Sequence, residues 1–248
     1  MRILAIDIET APLTGHTFGL FNQNISLGQM IEPISMLCFA ARWIDDPRSK
    51  IFYASTFHDG VEAMRGLVWD LLDEADALLS WNGKAFDTKH MNRELLLGGF
   101  TPPSPFKEID LLQTARSQFK FTSNKLDHVA QQLGLPGKVK HEGFGLWLKC
   151  MAGDAKAWDR MRRYNLQDVH LLVDLYKKLL PWIKNHPSKP LYEGLEGLLC
   201  PRCASPRLQS RGPRVTSLGT YQRYQCQKCG GWCSSGKRLT AVDLRLAG

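Results

Sequence analysis

Residues 2–9, RILAIDIE, constrain the chain more than any other stretch, because two acids are set two residues apart in an otherwise apolar run. The run reads as a buried strand. Its two-residue side-chain period sends Asp7 and Glu9 to the same face. A carboxylate pair buried there repels itself, and keeping both acids ionised calls for a cation. The alternative is that this face reaches solvent at the strand end.

The segment that follows, 10–32, shows no clear period and contains Gly15, Gly19 and Gly28. We expect an irregular excursion that runs beside the acids and helps to wall a pocket. Residues 33–43 (PISMLCFAARW) and 50–56 (KIFYAST) read as two further strands separated by the turn-forming DDPRS, which makes an opening antiparallel meander. From Met64 to Leu78 the apolar residues recur at helical spacing. A short strand (78–83) ends at Asn82-Gly83, and a helix follows over 87–99. Beyond it come a fifth strand (106–112), a short helix (126–135) and one long helix over 155–180, stopped before Pro181. This order suits an α/β fold with a mixed five-stranded sheet flanked by helices.

Two more acids lie at informative places. Asp87 falls where a strand ends and a helix begins, a position equally suited to an aspartate satisfying helix-start N–H groups. Asp168 shares a helix face with Tyr164 four residues earlier, a spacing also found in surface contacts. The set of four is more telling than any member, because magnesium-like cations take oxygen ligands. Two such ions about 4 Å apart can stabilise both the attacking and the leaving oxygens of a phosphodiester displacement.

These residues carry a family resemblance. DIET at 7–10, NGKAFD at 82–87 and YNLQD at 164–168 resemble, in order and rough spacing, the three exonuclease motifs of the DEDD superfamily. The branch resembled is the Tyr-containing one, which includes the proofreading domains of family B DNA polymerases and many short stand-alone nucleases. In the His-containing branch a histidine stands five residues before the last Asp; here that position is Arg163, whereas Tyr164 stands four before. The resemblance implies an RNase H-like fold and makes Asp7, Glu9, Asp87 and Asp168 ligands of two magnesium or manganese ions. It has Tyr164 orient the attacking water, and it places Thr10, Asn82 and Phe86 against the substrate. Asp110 is expected to be structural.

The C-terminal residues have a different composition. Five of the seven cysteines lie there, four of them as the pairs Cys200/Cys203 and Cys226/Cys229 with 22 residues between the pairs. That spacing is specific for tetrahedral zinc and resembles a zinc ribbon. So short a segment with few large aliphatics cannot build a core unaided, and one structural zinc ion supplies on the order of 10 kcal/mol. Cys233 is a fifth thiol that could replace a ligand, but the symmetric pairs favour Cys229. Cys38 and Cys150 sit in apolar surroundings and read as core.

Charge divides the same way. Residues 199–248 hold nine Lys/Arg against one acid, Asp243, which equals the +8 of the whole chain and leaves 1–198 balanced. A neutral body with a basic tail suggests sequence-independent attraction to phosphates. Tyr221, Tyr224 and Trp232 lie among these arginines, suited either to stacking on unpaired bases or to packing the ribbon's small core.

The expected layout is an exonuclease domain over 1–185, a linker over 186–198 that begins with HPSKP, and a basic zinc ribbon over 199–248. The implied activity is 3′-to-5′ exonuclease action that releases nucleoside 5′-monophosphates from single-stranded DNA or frayed 3′ ends. DNA is expected over RNA, with replication or repair proteins as partners. An endonuclease or junction-cutting enzyme on the same fold, or a non-catalytic adaptor whose ribbon does the binding, are the competing readings. The complete acid set weighs against the adaptor. With no long apolar span and no basic leader before the first strand, a soluble cytoplasmic protein with no membrane partner is expected.

Overall fold

The apolar N-terminal run becomes the middle strand of the main sheet in a computed structural model of the chain, which describes residues 1–44, 46, 50–137, 142–241 and 243. Strand β1 (Ile3–Ala11) is followed by two short strands, β2 (Thr14–Gly15) and β3 (Met30–Glu32), then by β4 (Ser35–Trp43) and β5 (Phe52–Ser55). Helix α1 (Val61–Asp73), strand β6 (Ala77–Ser80), helix α2 (Asp87–Leu97), strand β7 (Lys107–Asp110) and helix α3 (Leu111–Gln118) come next. Helices α4 (Leu126–Gln132), α5 (Phe144–Met151) and α6 (Ala155–Leu179) then complete the larger of two compact units, which divide at Tyr176/Lys177.

The sheet runs β5-β4-β1-β6-β7, with β4 and β5 antiparallel to β1 in a meander and β6 and β7 parallel to it. The mixed five-stranded sheet flanked by helices is therefore present. The DDPRS turn expected between β4 and β5 lies, apart from Asp46, outside the described residues. The alternation along β1 divides the core. Leu4, Ile6 and Ile8 point to a layer closed by Met64, Val68 and Leu72 of α1 and by Met91 and Leu95 of α2. On the other face, Cys38 of β4 packs with Leu146 and Cys150 of α5 and with Trp158 and Met161 of α6. Asp7 and Glu9 belong to this second face.

Three local differences from the sequence reading have physical causes. The two leucines expected to end the fifth strand are helical, because the Asp110 carboxylate accepts from the N–H groups of Leu112 and Gln113 and so caps α3. Helix α5 is only eight residues long, too short for its period to be read. The excursion over 10–32 contains a two-stranded ladder, in which Thr14 pairs with Glu32 and Gly15 with Met30. A side chain at position 15 would press on the Gln29 carbonyl at 2.9 Å, which accounts for the glycine. Helix α6 starts where Asp154 accepts from the Ala157 N–H at 3.1 Å.

In the smaller unit, a short helix α7 (Lys189–Tyr192) precedes strands β8 (Leu208–Thr216), β9 (Gly219–Cys226) and β10 (Trp232–Ala241) in an antiparallel sheet of order β10-β9-β8. Within this unit Arg202 donates to the Ile183 carbonyl at 2.9 Å, and the Lys189 N–H donates to the Pro201 carbonyl at 2.7 Å. Among the described residues no helix is long and apolar enough to cross a membrane.

Glu94 on α2 is the buried charge that ties the first helical layer together. Its carboxylate meets Arg65 at 2.8 Å and Arg93 at 2.7 Å and accepts from the Met36 N–H at 3.2 Å. Burial alone would raise this carboxyl, but the two guanidinium groups and the amide hold it below the usual range. A depressed carboxyl contributes stability above its unfolded value near ~4.3 and loses it as pH falls through the folded value. We expect Glu94→Ala to cost about 3 kcal/mol in urea unfolding at neutral pH, since it removes the buried partner of Arg65 and leaves that guanidinium to the exposed Glu62 at 2.9 Å. The gap to wild type should narrow in acid. An equal gap at pH values above and below the carboxylate range would mean that packing, not charge, accounts for the loss.

Candidate active site

The site follows from which residues the sheet's second face exposes to α6. Asp7 and Glu9 lie on that face, and α6 crosses it with Tyr164, Asn165 and Asp168 on adjoining turns. One carboxylate oxygen each from Asp7, Glu9 and Asp168 falls within 4.8 Å of the others, and Asp168 is almost fully buried. Asn165, wholly buried, donates from Nδ2 to the Asp7 carboxylate at 2.7 Å and to the Asp7 carbonyl at 3.1 Å. Three carboxylates so close repel one another as anions, and the all-oxygen donor set fits a hard divalent ion.

Asp87 stands next to this cluster rather than within it. Strand β6 pairs with β1 only along Ile3–Ala5, so the more distal Ile8 N–H has no strand partner on that edge. The Asp87 carboxylate accepts this N–H at 3.3 Å. Burial pushes the Asp87 carboxyl up to about 7, against the pull of the Ile8 N–H and its own N–H, with Asp110 adding to the rise. The turn that delivers Asp87 is tightly specified. Asn82 adopts φ 75°, a left-handed conformation that asparagine tolerates, and a side chain at Gly83 would overlap that of Ser80. The Asn82 N–H donates to Asp110 at 3.0 Å, which agrees with a structural role for Asp110.

Tyr164 is 8% exposed and meets the Trp147 ring edge-to-face at 6.1 Å. Thr10, Pro12, Gly143, Phe144 and Trp147 line a cavity of about 340 Å³. The register between β1 and β4 shifts between Glu9 and Thr10, a bulge that re-aims the chain where the acids end. Thr10 and the start of the excursion thus border this cavity, whereas Asn82 and Phe86 are not among its lining residues. Phe86 instead packs on His90 at 4.4 Å. Three participants were not identified from sequence. Asn165 had a signal, a polar residue inside the YNLQD motif, but Phe144 and Trp147 lie on the short helix whose period was unreadable. Cys38, paired with Glu9 across the strands, is fully buried, and burial followed by the Glu9 charge raises its thiol, as suits a core residue.

The second cluster is sulfur-only. The ligand atoms of Cys200, Cys203, Cys226 and Cys229 all lie within 4.8 Å of one another, with 3.6 Å between Cys200 and Cys229 and 3.7 Å between Cys203 and Cys226. A tetrahedron of thiolates at ~2.3 Å from one ion has edges of ~3.8 Å, so the spacing fits zinc. Burial would raise the Cys226 thiol, but the N–H groups of Cys229 and Lys228 and neighbouring thiols bring it down to about 7. Cys233 is not part of this set.

The RNase_H superfamily matches residues 4–180, well over half of the chain, and the protein belongs to that superfamily. The matched span contains Asp7, Glu9, Asp87, Tyr164 and Asp168. Among solved structures, the family B DNA polymerase from the hyperthermophilic archaeon Pyrobaculum calidifontis is similar in fold, with a TM-score of 0.54 and 20% identity over 73% of this chain. The chain spans 24% of that polymerase. No curated protein matches it in sequence.

Asn165 acts on the cluster through Asp7, as a positioning residue. Asn165→Leu keeps similar volume but removes the donor, so we expect manganese affinity, measured by calorimetry, to fall about 10- to 100-fold with an unaltered circular dichroism spectrum. Unchanged affinity would make Asn165 a packing residue.

Proposed function

We propose that the protein is a metal-dependent 3′-to-5′ exonuclease of the Tyr-containing DEDD branch, acting on nucleic acid, with single-stranded DNA or frayed DNA ends preferred. The observation that carries this reading is the convergence of Asp7, Glu9 and Asp168 oxygens within 4.8 Å, with Tyr164 one helical turn before Asp168. Membership of a superfamily of nucleases supports it. Magnesium or manganese ions held there would stabilise charge on the attacking and leaving oxygens of a phosphodiester.

The chain's own groups have distinct tasks. Asp7, Glu9 and Asp168 supply the ligand oxygens, and Asn165 fixes the rotamer of Asp7 before any substrate arrives. Asp87 adds a carboxylate beside them and anchors the strand through Ile8. The Tyr164 hydroxyl orients the attacking water, with its ring held by Trp147. Thr10 and the apolar walls offered by Phe144 and Trp147 suit the sugar and base of a terminal nucleotide. Hydrolysis there leaves the phosphate on the departing nucleotide as a nucleoside 5′-monophosphate. The four cysteines hold one structural zinc ion in a ribbon, and the catalytic domain takes residues 1–185.

The test is cleavage of a 5′-labelled and a 3′-labelled oligonucleotide in magnesium. A ladder of shortened 5′-labelled products is expected; discrete internal cuts would indicate an endonuclease, and no cleavage by the folded protein would remove the reading. Asp7→Ala should abolish cleavage while leaving the fold intact. Tyr164→Phe, which keeps the ring, should slow turnover about 10- to 1000-fold with little change in substrate affinity. A normal rate in Tyr164→Phe would confine that residue to packing.

A further inference from the structure

The register of the C-terminal sheet sorts its side chains, because residues directly paired across antiparallel strands share a face. Gln225 pairs with Gln209 and Trp232, Arg223 with Ser234, and Tyr221 with both Arg214 and Arg238. One face therefore carries Arg214, Tyr221, Arg223, Trp232 and Arg238. Arg211 joins them, since its guanidinium lies 5.7 Å from the centre of the Trp232 ring and that of Arg223 lies 4.9 Å away. Arg223 also donates through Nε and Nη2 to the Arg211 carbonyl, which holds its guanidinium in place. On the opposite face Leu208 stands against Cys226, and Tyr224 between Ser210 and Cys233. Leu208, Tyr224 and Cys233 line a cavity of about 230 Å³ together with Leu198 and Pro201. Packing residues thus take one side of the sheet and these arginines the other.

Arg211, Arg214, Arg223 and Arg238 are all exposed, and no Asp or Glu occurs between Glu196 and Asp243. Four guanidinium groups on one small sheet repel one another, an arrangement that an anion would relieve. Arginine's planar fork matches phosphate, and Trp232, 43% exposed beside two of these groups, offers an aromatic surface for a base. A duplex keeps its base faces stacked internally, so the aromatic component selects for an unpaired strand.

We propose that this face binds single-stranded nucleic acid, with phosphates on the four arginines and bases on Trp232 and Tyr221. The inference rests on reading the four thiols as holding the zinc that fixes the sheet. It deepens the nuclease reading by giving the substrate a second contact on the chain, independent of the carboxylate cluster.

The experiment is fluorescence anisotropy of a labelled oligothymidylate of about 20 nucleotides binding the full-length, zinc-loaded chain without added magnesium, over a range of salt. Replacing Arg214 and Arg223 by Gln should lower the salt slope by about 1.4, at ~0.7 per contact. Replacing Lys178 and Lys184 by Gln, the same change of charge at exposed positions outside this sheet, should leave the slope nearly unaltered. Trp232→Leu, which keeps apolar packing, should weaken binding about tenfold. Zinc content and circular dichroism of each variant establish that the sheet is intact. Equal loss of slope in the two charge pairs, duplex bound as tightly as the single strand, or displacement of the oligonucleotide by poly-glutamate at equal charge would each overturn the proposal. Hydrolysis of a short oligonucleotide in magnesium is followed in parallel. A chain that binds as expected but never cuts leaves this inference standing and removes the nuclease reading.

Discussion

Carboxylate oxygens within 4.8 Å of one another repel, and much of the larger unit can be understood as the scaffold that holds Asp7, Glu9 and Asp168 together against that repulsion. The restraint comes from one face of the sheet and from an edge of its middle strand. From the second face, Asn165 grips Asp7 through both its carboxylate and its backbone carbonyl. From the strand edge, Asp87 takes the Ile8 N–H that lies between the two acids of β1. Both restraints fix geometry, and they hold the three carboxylate oxygens at a spacing that suits a shared cation.

Sheet topology explains why these groups meet. A middle strand buried by Leu4, Ile6 and Ile8 on one face cannot move without disrupting the first helical layer, so Asp7 and Glu9 on its other face are fixed in turn. The parallel neighbour β6 ends early at Ser80, and the turn through Asn82 and Gly83 brings the start of α2 to the uncovered edge of β1. Helix α6 adds the last acid because its long apolar face, with Trp158 and Met161, seats it over Cys38 and the β1 acids. The same packing presses Tyr164 against Trp147, at one end of the cavity that starts at Thr10.

How much of this could be read from sequence depended on the range of the interaction. Asp7 and Glu9 were legible because a strand's two-residue period is local, and the five main strands followed from the same kind of evidence. Asp87 was legible as a helix-start acid, but its contact with Ile8 spans 79 positions, and no local pattern announces it. Asn165 reaches Asp7 across 158 positions, so its role appears only once α6 lies on the sheet. Helix α5 was invisible because eight residues give barely two turns of a period, and with it the aromatic wall of the cavity. In the C-terminal unit the cysteine spacing announced the four-thiol cluster, whereas the separation of arginines from packing residues needed the strand register and its shifts.

The sheet and α6 bring Asp7, Glu9 and Asp168 together as a candidate cation site. Anomalous diffraction from crystals soaked in millimolar manganese tests it most directly. A cation held there gives anomalous density bounded by those three carboxylates, lost in Asp168→Asn while the fold and the zinc signal at the four cysteines persist. Well-ordered crystals with the three carboxylates in place and no anomalous density among them would contradict it.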